Sequence, residues 1–218
     1  PHGNAGEYIF NEIRADADIF YKKADKFISG PHLDPVDVSL SIEGFRLSGT
    51  LDDVYENNQI HIRYAKKRSK DLLRAWIFHL ALCQISEKVS GKKMPQTTWL
   101  ICKDSAWKFD YVKESKVVLL NLLKLYEKGL SKPLHFFPES SHEFADTMIR
   151  KKKSEKDAEN KAYNRWTDRF KGESDNQYYR LCFRKMDHID DFVNAEFKDN
   201  TAMVYTPLFE NFRQIYEL

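Results

Sequence analysis

Apolar and polar residues change their spacing several times along the chain, and each change predicts an element. Tyr8 to Ile28 mixes aromatic and charged residues with a loose helical period, which Ser29-Gly30-Pro31 ends. Strict alternation follows. Val36, Val38, Leu40 and Ile42 alternate with polar residues. After a Glu43-Gly44 turn, Phe45, Leu47, Gly49 and Leu51 continue the pattern. Asn57-Asn58 marks a second turn, and Ile60, Ile62 and Tyr64 form a third strand. The expectation is an antiparallel meander of three strands.

The period then lengthens. Leu72, Leu73, Trp76, Ile77 and Leu80 fall on helical spacing, with Ser69 placed to cap the start and Gly91 to stop the end. Thr97 to Lys103 reads as a buried strand. Glu114 to Leu130 is an amphipathic helix ending at Gly129, and Pro138 opens another helix. Residues 150–168 are so highly charged that a solvated surface helix is expected there. Near the end, "YYRLCFR" (178–184) suggests a strand and "PLFENFRQIYEL" (207–218) a closing helix. There is no internal repeat or low-complexity linker. One mixed α/β domain over 34–218 is expected, with a lead-in helix over 1–33.

Composition narrows the class. The 42% hydrophobic content supports a packed core, and a net charge of +2 means that any nucleic-acid contact must come from local clustering. Cys83, Cys102 and Cys182 are far apart and odd in number. That argues against a disulfide framework or a zinc site and suits a reducing, cytoplasmic setting. No apolar run reaches the roughly 20 residues of a membrane span, so no membrane partner is expected. The start, "PHGNAGEYIF", carries no basic segment followed by an apolar one, so no signal peptide is visible. It also lacks an initiating methionine. The chain is read as a piece of something longer or a processed form, its first few residues candidates for foreign sequence.

The order helix, three strands, helix, strand resembles the core of the restriction-endonuclease-like superfamily, of PD-(D/E)xK type. The resemblance implies that active members carry a carboxylate on one strand, then an acid and a lysine two positions apart on the next. The two carboxylates hold Mg²⁺, and metal and lysine activate the attacking water. Two-residue spacing is needed because strand side chains alternate faces. Asp52 could fill the first position, with Asp53 facing the other way. On the third strand Ile60, Ile62 and Tyr64 want the core, so His61, Arg63 and Ala65 face the would-be site. Arginine and alanine stand where acid and lysine are needed. No acid lies between Glu56 and Asp71, so no register restores the motif, and an arginine near Asp52 would compete with a metal by ion pairing. Asp52, Arg63 and Ala65 are therefore degenerate positions, and no catalytic residue, metal or cofactor is expected.

Other chemistry is sparse. The triplets Glu114-Ser115-Lys116 and Glu196-Phe197-Lys198 follow no Asp52-like strand and arise easily by chance in so charged a chain. The histidines lack metal-ligand spacing, and His79 reads as a hydrogen-bonded structural residue beside an apolar stripe. The four tryptophans suit a core better than base stacking. One basic run stands out: Arg63, Lys66, Lys67, Arg68, Lys70 and Arg74, opposed only by Asp71. It is either an exposed strand edge guarded by lysines or a rim facing phosphates or a partner.

Longer stretches carry a more specific likeness. "LSGTLDDVY", "IHIRYAKKRSKDLLRAWIFHLALC", "KPLHFFPESSHEFAD", "AYNRWT" and "ESDNQYYRLCFR" resemble the C-terminal domain of the RecC family, the gamma subunit of exodeoxyribonuclease V (RecBCD). The likeness runs from about Asp34 to Leu218. It implies a restriction-endonuclease-like fold similar to the RecB nuclease domain but without its catalytic residues, with added C-terminal helices. It further implies a role in assembly with RecB and in docking the RecD helicase. The domain would adjoin the pin that splits the duplex in a complex that unwinds and degrades DNA ends in double-strand-break repair. Direct DNA binding by the isolated domain should be weak. The alternatives are an active Mg²⁺-dependent nuclease using Asp52 with a migrated lysine such as Lys66, and a stand-alone DNA-binding module using the basic run.

Overall fold

The computed structural model describes residues 3–88, 94–183, 186 and 188–215. Strands β1 (Val36–Ile42) and β2 (Phe45–Leu51) form an antiparallel hairpin in full register, from Ile42 opposite Phe45 to Val36 opposite Leu51. Glu43 and Gly44 make the turn with φ of 42° and 92°, the left-handed pair that a two-residue hairpin requires. Val38, Leu40, Ile42 and Leu51 are buried, so the alternation in the sequence sets the inward face.

The meander does not continue as expected. β3 (Gln59–Arg63) forms no continuous ladder with β2; the two are tied by a bridge between Val54 and Gln59 and by the Ile60 N–H donating to the Asp53 carbonyl at 3.0 Å. Asp53 sits at φ 52°, which turns the chain out of the β2 ladder before β3 begins. β3 pairs instead along its length with β4 (Thr98–Cys102), in parallel. A parallel pair needs a crossover, and helix α2 (Ser69–Lys88) supplies it. β4 turns directly into β5 (Ser105–Phe109), a strand not anticipated from the sequence, and β6 (Phe212–Ile215) pairs antiparallel with β5. The result is a mixed sheet β3-β4-β5-β6 beside the β1-β2 hairpin.

Both faces of the sheet are covered. Helix α1 (Asn4–Asp25) lays Phe20 and Ala24 on Ile60 and Ile101. Helices α2, α3 (Ser115–Ser131) and α8 (Ala195–Glu210) cover the other face, where Trp76, Leu80, Leu100, Trp107, Phe109, Leu119 and Tyr205 share one core with the hairpin. Between α3 and α8 lie α4 (Pro138–Ala145), a π turn (Asp146–Arg150), α5 (Glu155–Trp166), α6 (Gln177–Cys182) and α7 (Ile189–Phe192). They pack around Phe137, whose ring lies 4.5–5.3 Å from those of Trp166, Tyr179, Phe183 and Phe192.

Several local expectations change. Residues 177–182 are helical, not extended: Asn176 caps the turn by accepting the Tyr178 N–H, and Tyr179 and Phe183, four apart, both reach Phe137. The last helix stops at Glu210, where the Asn211 side-chain amide donates to the Pro207 carbonyl. Residues 212–215 form a strand because Phe212 stacks on Trp107 at 4.8 Å. The charged stretch 150–168 takes in the last residue of the π turn and α5, and Ala158, Ala162 and Trp166 bury one face of α5. Gly129 lies inside α3. Ser69 is the first helical residue of α2 rather than its cap, and the stop expected at Gly91 lies outside the described residues.

Phe137 is fully buried at the centre of the second cluster. Phe137→Ala should lower the unfolding free energy by about 3–5 kcal/mol, read as a shift of the urea midpoint with little change in slope.

Candidate functional site

Side chains alternate along the third strand, but not with the expected outcome: Ile60 is buried, Ile62 on the same face is exposed, and the face carrying His61 and Arg63 is closed by α2. The His61 ring packs edge-on against Phe78 at 5.4 Å, and its Nε2 is buried without a partner among the described residues. Arg63 Nε lies 2.9 Å from an Asp71 carboxylate oxygen, and Nη1 donates to the other at 3.0 Å. Asp52 is exposed beside the opposite end of β3, where its carbonyl accepts from the Gln59 side chain at 3.3 Å. Arg63 is therefore matched to Asp71 in a two-point pair, and the Asp52 carboxylate makes no ion pair among the described residues. Ala65 offers only backbone; its carbonyl accepts the Lys103 N–H.

The basic run divides. Lys66, Arg68, Lys70 and Arg74 are exposed, with the Arg74 guanidinium over the Phe78 ring at 5.5 Å. Lys67 turns inward. Its Nζ stands 3.3 Å from His142 Nε2 and 5.2 Å from the centre of the Trp107 ring, and its backbone N–H donates to Asp104 at 2.9 Å. Burial lowers its pKa, partly offset by the charges of Glu139, Glu143, Asp146 and Asp104.

Lys67 forms one wall of a cleft of about 420 Å³ that was not foreseen from the sequence. The facing wall is α4 and the π turn. His142, Asp146 and Arg150 are spaced by four and lie on one face. The Lys151 N–H donates to the Asp146 carbonyl, the wide i to i+5 closure that brings Lys151 onto that face too. Asp146, only 5% exposed, takes Arg150 on one oxygen and Lys151 on the other, each at 2.6 Å. Burial alone would raise its pKa, but the Lys151 hydrogen bond and the Arg150 charge bring it below the usual carboxylate range. His142 is held neutral, its pKa driven far down by burial and by Lys67. A neutral Nε2 can accept from the Lys67 ammonium. Ser105 and Gln214 complete the lining with Asp104 and Trp107.

Elsewhere the polar core is structural. His79 joins Thr98 Oγ1 and the Asp110 carbonyl, each at 2.9 Å. Burial pushes the Cys83 and Cys102 thiols up to about 11 and about 12, which makes both poor nucleophiles. The two acid-x-lysine triplets fall at helix starts, where residues two apart diverge. Glu196 pairs with Lys128 and Lys132, and Lys198 with Glu155 and Glu159. Among the described residues no three His, Cys, Asp or Glu side chains converge as metal ligands, and no helix is long and apolar enough to cross a membrane.

A profile described as the RecC C-terminal domain matches residues 1–148 of the 218. The chain belongs to the RecC C-terminal domain family. No curated protein matches the chain. RecC is a subunit of exodeoxyribonuclease V, the RecBCD complex, so membership associates the chain with DNA repair and recombination. The RecC match starts at residue 1, taking in α1, and ends inside the π turn, so Lys67, Asp104, His142 and Asp146 lie within it and Arg150 and Lys151 just beyond.

The buried imidazoles give the fold an acid limit. Burial is the leading cause that lowers His61 and His79 from 6.5 to about 4. The unfolded chain therefore takes up protons first as pH falls below 6.5. Stability is full above that value and declines between about 6.5 and 4, by on the order of 3 kcal/mol for His79 alone. Urea midpoints measured from pH 7 to 5 should fall, and His79→Gln should flatten that slope whatever its effect at pH 7.

Proposed function

We propose that this chain is a non-catalytic domain of a RecBCD-type complex, a restriction-endonuclease-like frame over 34–218 led in by residues 1–33. It docks the RecD subunit, contacts RecB and borders the path of the DNA being split. The observation that carries the reading is the state of β3. Its face toward α2 holds a half-buried neutral histidine and an arginine committed to Asp71, and Ala65 lies beyond the end of the strand. An acid and a lysine are required there for metal-assisted hydrolysis. Strand order supports the frame: a hairpin, a parallel β3-β4 pair joined across α2, and an antiparallel β5. The four exposed cations of the basic run leave a rim free to meet phosphates or a partner.

Two assays test this. Mixed with the RecD subunit from the same source, the chain should co-elute in size exclusion at low salt; separate elution would remove the docking role. With Mg²⁺ or Mn²⁺ and linear duplex or single strands, turnover should stay at the level of the Asp52→Ala variant. Cleavage abolished by Asp52→Ala would instead establish an active nuclease.

A further inference from the structure

Helix α1 carries an apolar stripe that its own chain covers only in part. Gly6, Phe10, Ile13 and Ala17 repeat at steps of four, three and four, and Phe20, Ala24 and Phe27 continue the alternation. That is an unbroken seven-residue repeat, the spacing that keeps one stripe of a helix on one neighbour. The second half of the stripe is used. Phe20 and Ala24 are buried on Ile60 and Ile101, and the Phe27 ring, just past the helix, lies 4.7 Å from that of Trp99. Between the halves, the Asp16 carboxylate ties the helix to the body through Lys103 and the Tyr64 hydroxyl. The first half runs past that support. Phe10 is 62% and Ile13 56% exposed, and neither joins an apolar cluster among the described residues.

The uncovered half is complementary to itself. A two-fold axis between residues 11 and 12 lays a second α1 antiparallel on the first. It sets Phe10 of each copy opposite Ile13 of the other, and Gly6 opposite Ala17. Large side chains then fill the centre, and small ones let the helices close at both ends. On one flank Glu7 stands opposite Arg14 of the second copy, twice by symmetry. Neither residue makes an ion pair within its own chain among the described residues. On the other flank Ile9 faces Asp16 of the second copy, whose charge is already taken up by that copy's Lys103. A parallel pairing would set Arg14 against Ile9 and lose both ion pairs.

We propose that the first half of α1 is a homodimer seam, through which two copies of this chain pair antiparallel on Phe10 and Ile13. A second copy is the occupant because the stripe supplies its own complement in size at every layer and in charge along one flank. The contact is isologous, so it closes at two copies. Removal of the Phe10 and Ile13 side chains from water drives it. Three turns of helix bury far less than the roughly 1,200–2,000 Å² of a stable complex, so the dimer is weak and concentration-dependent. The pairing uses neither DNA nor RecD and stands apart from the function proposed above.

The test is sedimentation equilibrium of the full 218-residue chain over about 10 to about 300 µM. A monomer–dimer equilibrium is expected, with no larger species. Ile13→Glu should leave a monomer at every concentration. Tyr8→Glu, which removes an equally exposed apolar residue from the opposite side of the helix, should leave the equilibrium unchanged. Arg14→Glu makes both flanking pairs like-charged and should weaken the dimer roughly tenfold. Adding Glu7→Arg to Arg14→Glu should restore it. Should Ile13→Glu shift the urea midpoint, the rescued double variant carries the comparison, because a folding defect is not undone by reversing a charge two turns away. The proposal is overturned if the chain is monomeric throughout, or if assembly continues beyond the dimer. It is equally overturned if Tyr8→Glu acts as Ile13→Glu does, which would mean non-specific hydrophobic association. A dimer that survives Ile13→Glu, or one that Glu7→Arg does not rescue from Arg14→Glu, uses another surface or register and also overturns it.

Discussion

The Glu139 carboxylate holds the two halves of the molecule in register. One oxygen accepts the Ser69 N–H at the start of α2 and the other the Ser69 hydroxyl. Glu139 is itself in the first turn of α4, whose N–H groups at 139 and 140 donate to Glu173 at 3.1 and 2.7 Å. A carboxylate at a helix start satisfies N–H groups that have no intrahelical partner. Burial is the leading influence on Glu173 and raises its pKa, opposed by the hydrogen bonds from Ser140 and Glu139. Three segments, at 69, 139 and 173, are thus joined by charge-assisted bonds, which exceed neutral ones in strength. Pro138, at the first helical position, fixes where α4 begins. The crossover helix and the wall of the cleft are therefore set relative to each other at one point, and Lys67, two residues before Ser69, is delivered to His142.

Legibility in the sequence followed the range of the interactions. The β1-β2 hairpin was legible because its alternation and its Glu43-Gly44 turn are local. The helical stripe of α2 was legible for the same reason, as was the Pro138 start of α4. The pairing of β3 was not. Asn57-Asn58 does turn the chain, but the left-handed Asp53 breaks the ladder, and nothing in the pattern around it separates a continued meander from a parallel pairing with β4. The short apolar runs 105–109, 178–183 and 212–215 suit helix or strand equally on periodicity. Their states are decided by distant partners: Phe137 for the helical segment, and Trp107 stacking on Phe212 for the last strand.

The site divides in the same way. The absence of an acid and a lysine at 63 and 65 could be read directly, although the strand itself ends at Arg63 and Ala65 lies beyond it. The actual partner of Arg63 could not, because Asp71 reaches it from the first turn of α2. The cleft was still less accessible. Its lining comes from four places in the chain, and Lys151 joins His142, Asp146 and Arg150 on one face only once the helix widens into a π turn. Charge counting along the sequence placed residues 63–74 and 150–168 in separate surface features. Folding instead brings the inner member of one run against the start of the other.

Packing also explains why exchanging two residues would not build an acid-and-lysine site on β3. An acid at position 63 would remove the Arg63–Asp71 pair, whose contacts stand at about 3 Å, and leave Asp71 without its cation. A lysine at 65 would add charge at the mouth of a region already carrying Lys66 and Lys67. The preceding residue on that face, His61, packs its ring edge-on against Phe78. The face a catalytic β3 would need open is thus occupied by α2 through an ion pair and a ring contact. Lys67, in the connection that follows the strand, faces His142 and the Trp107 ring instead.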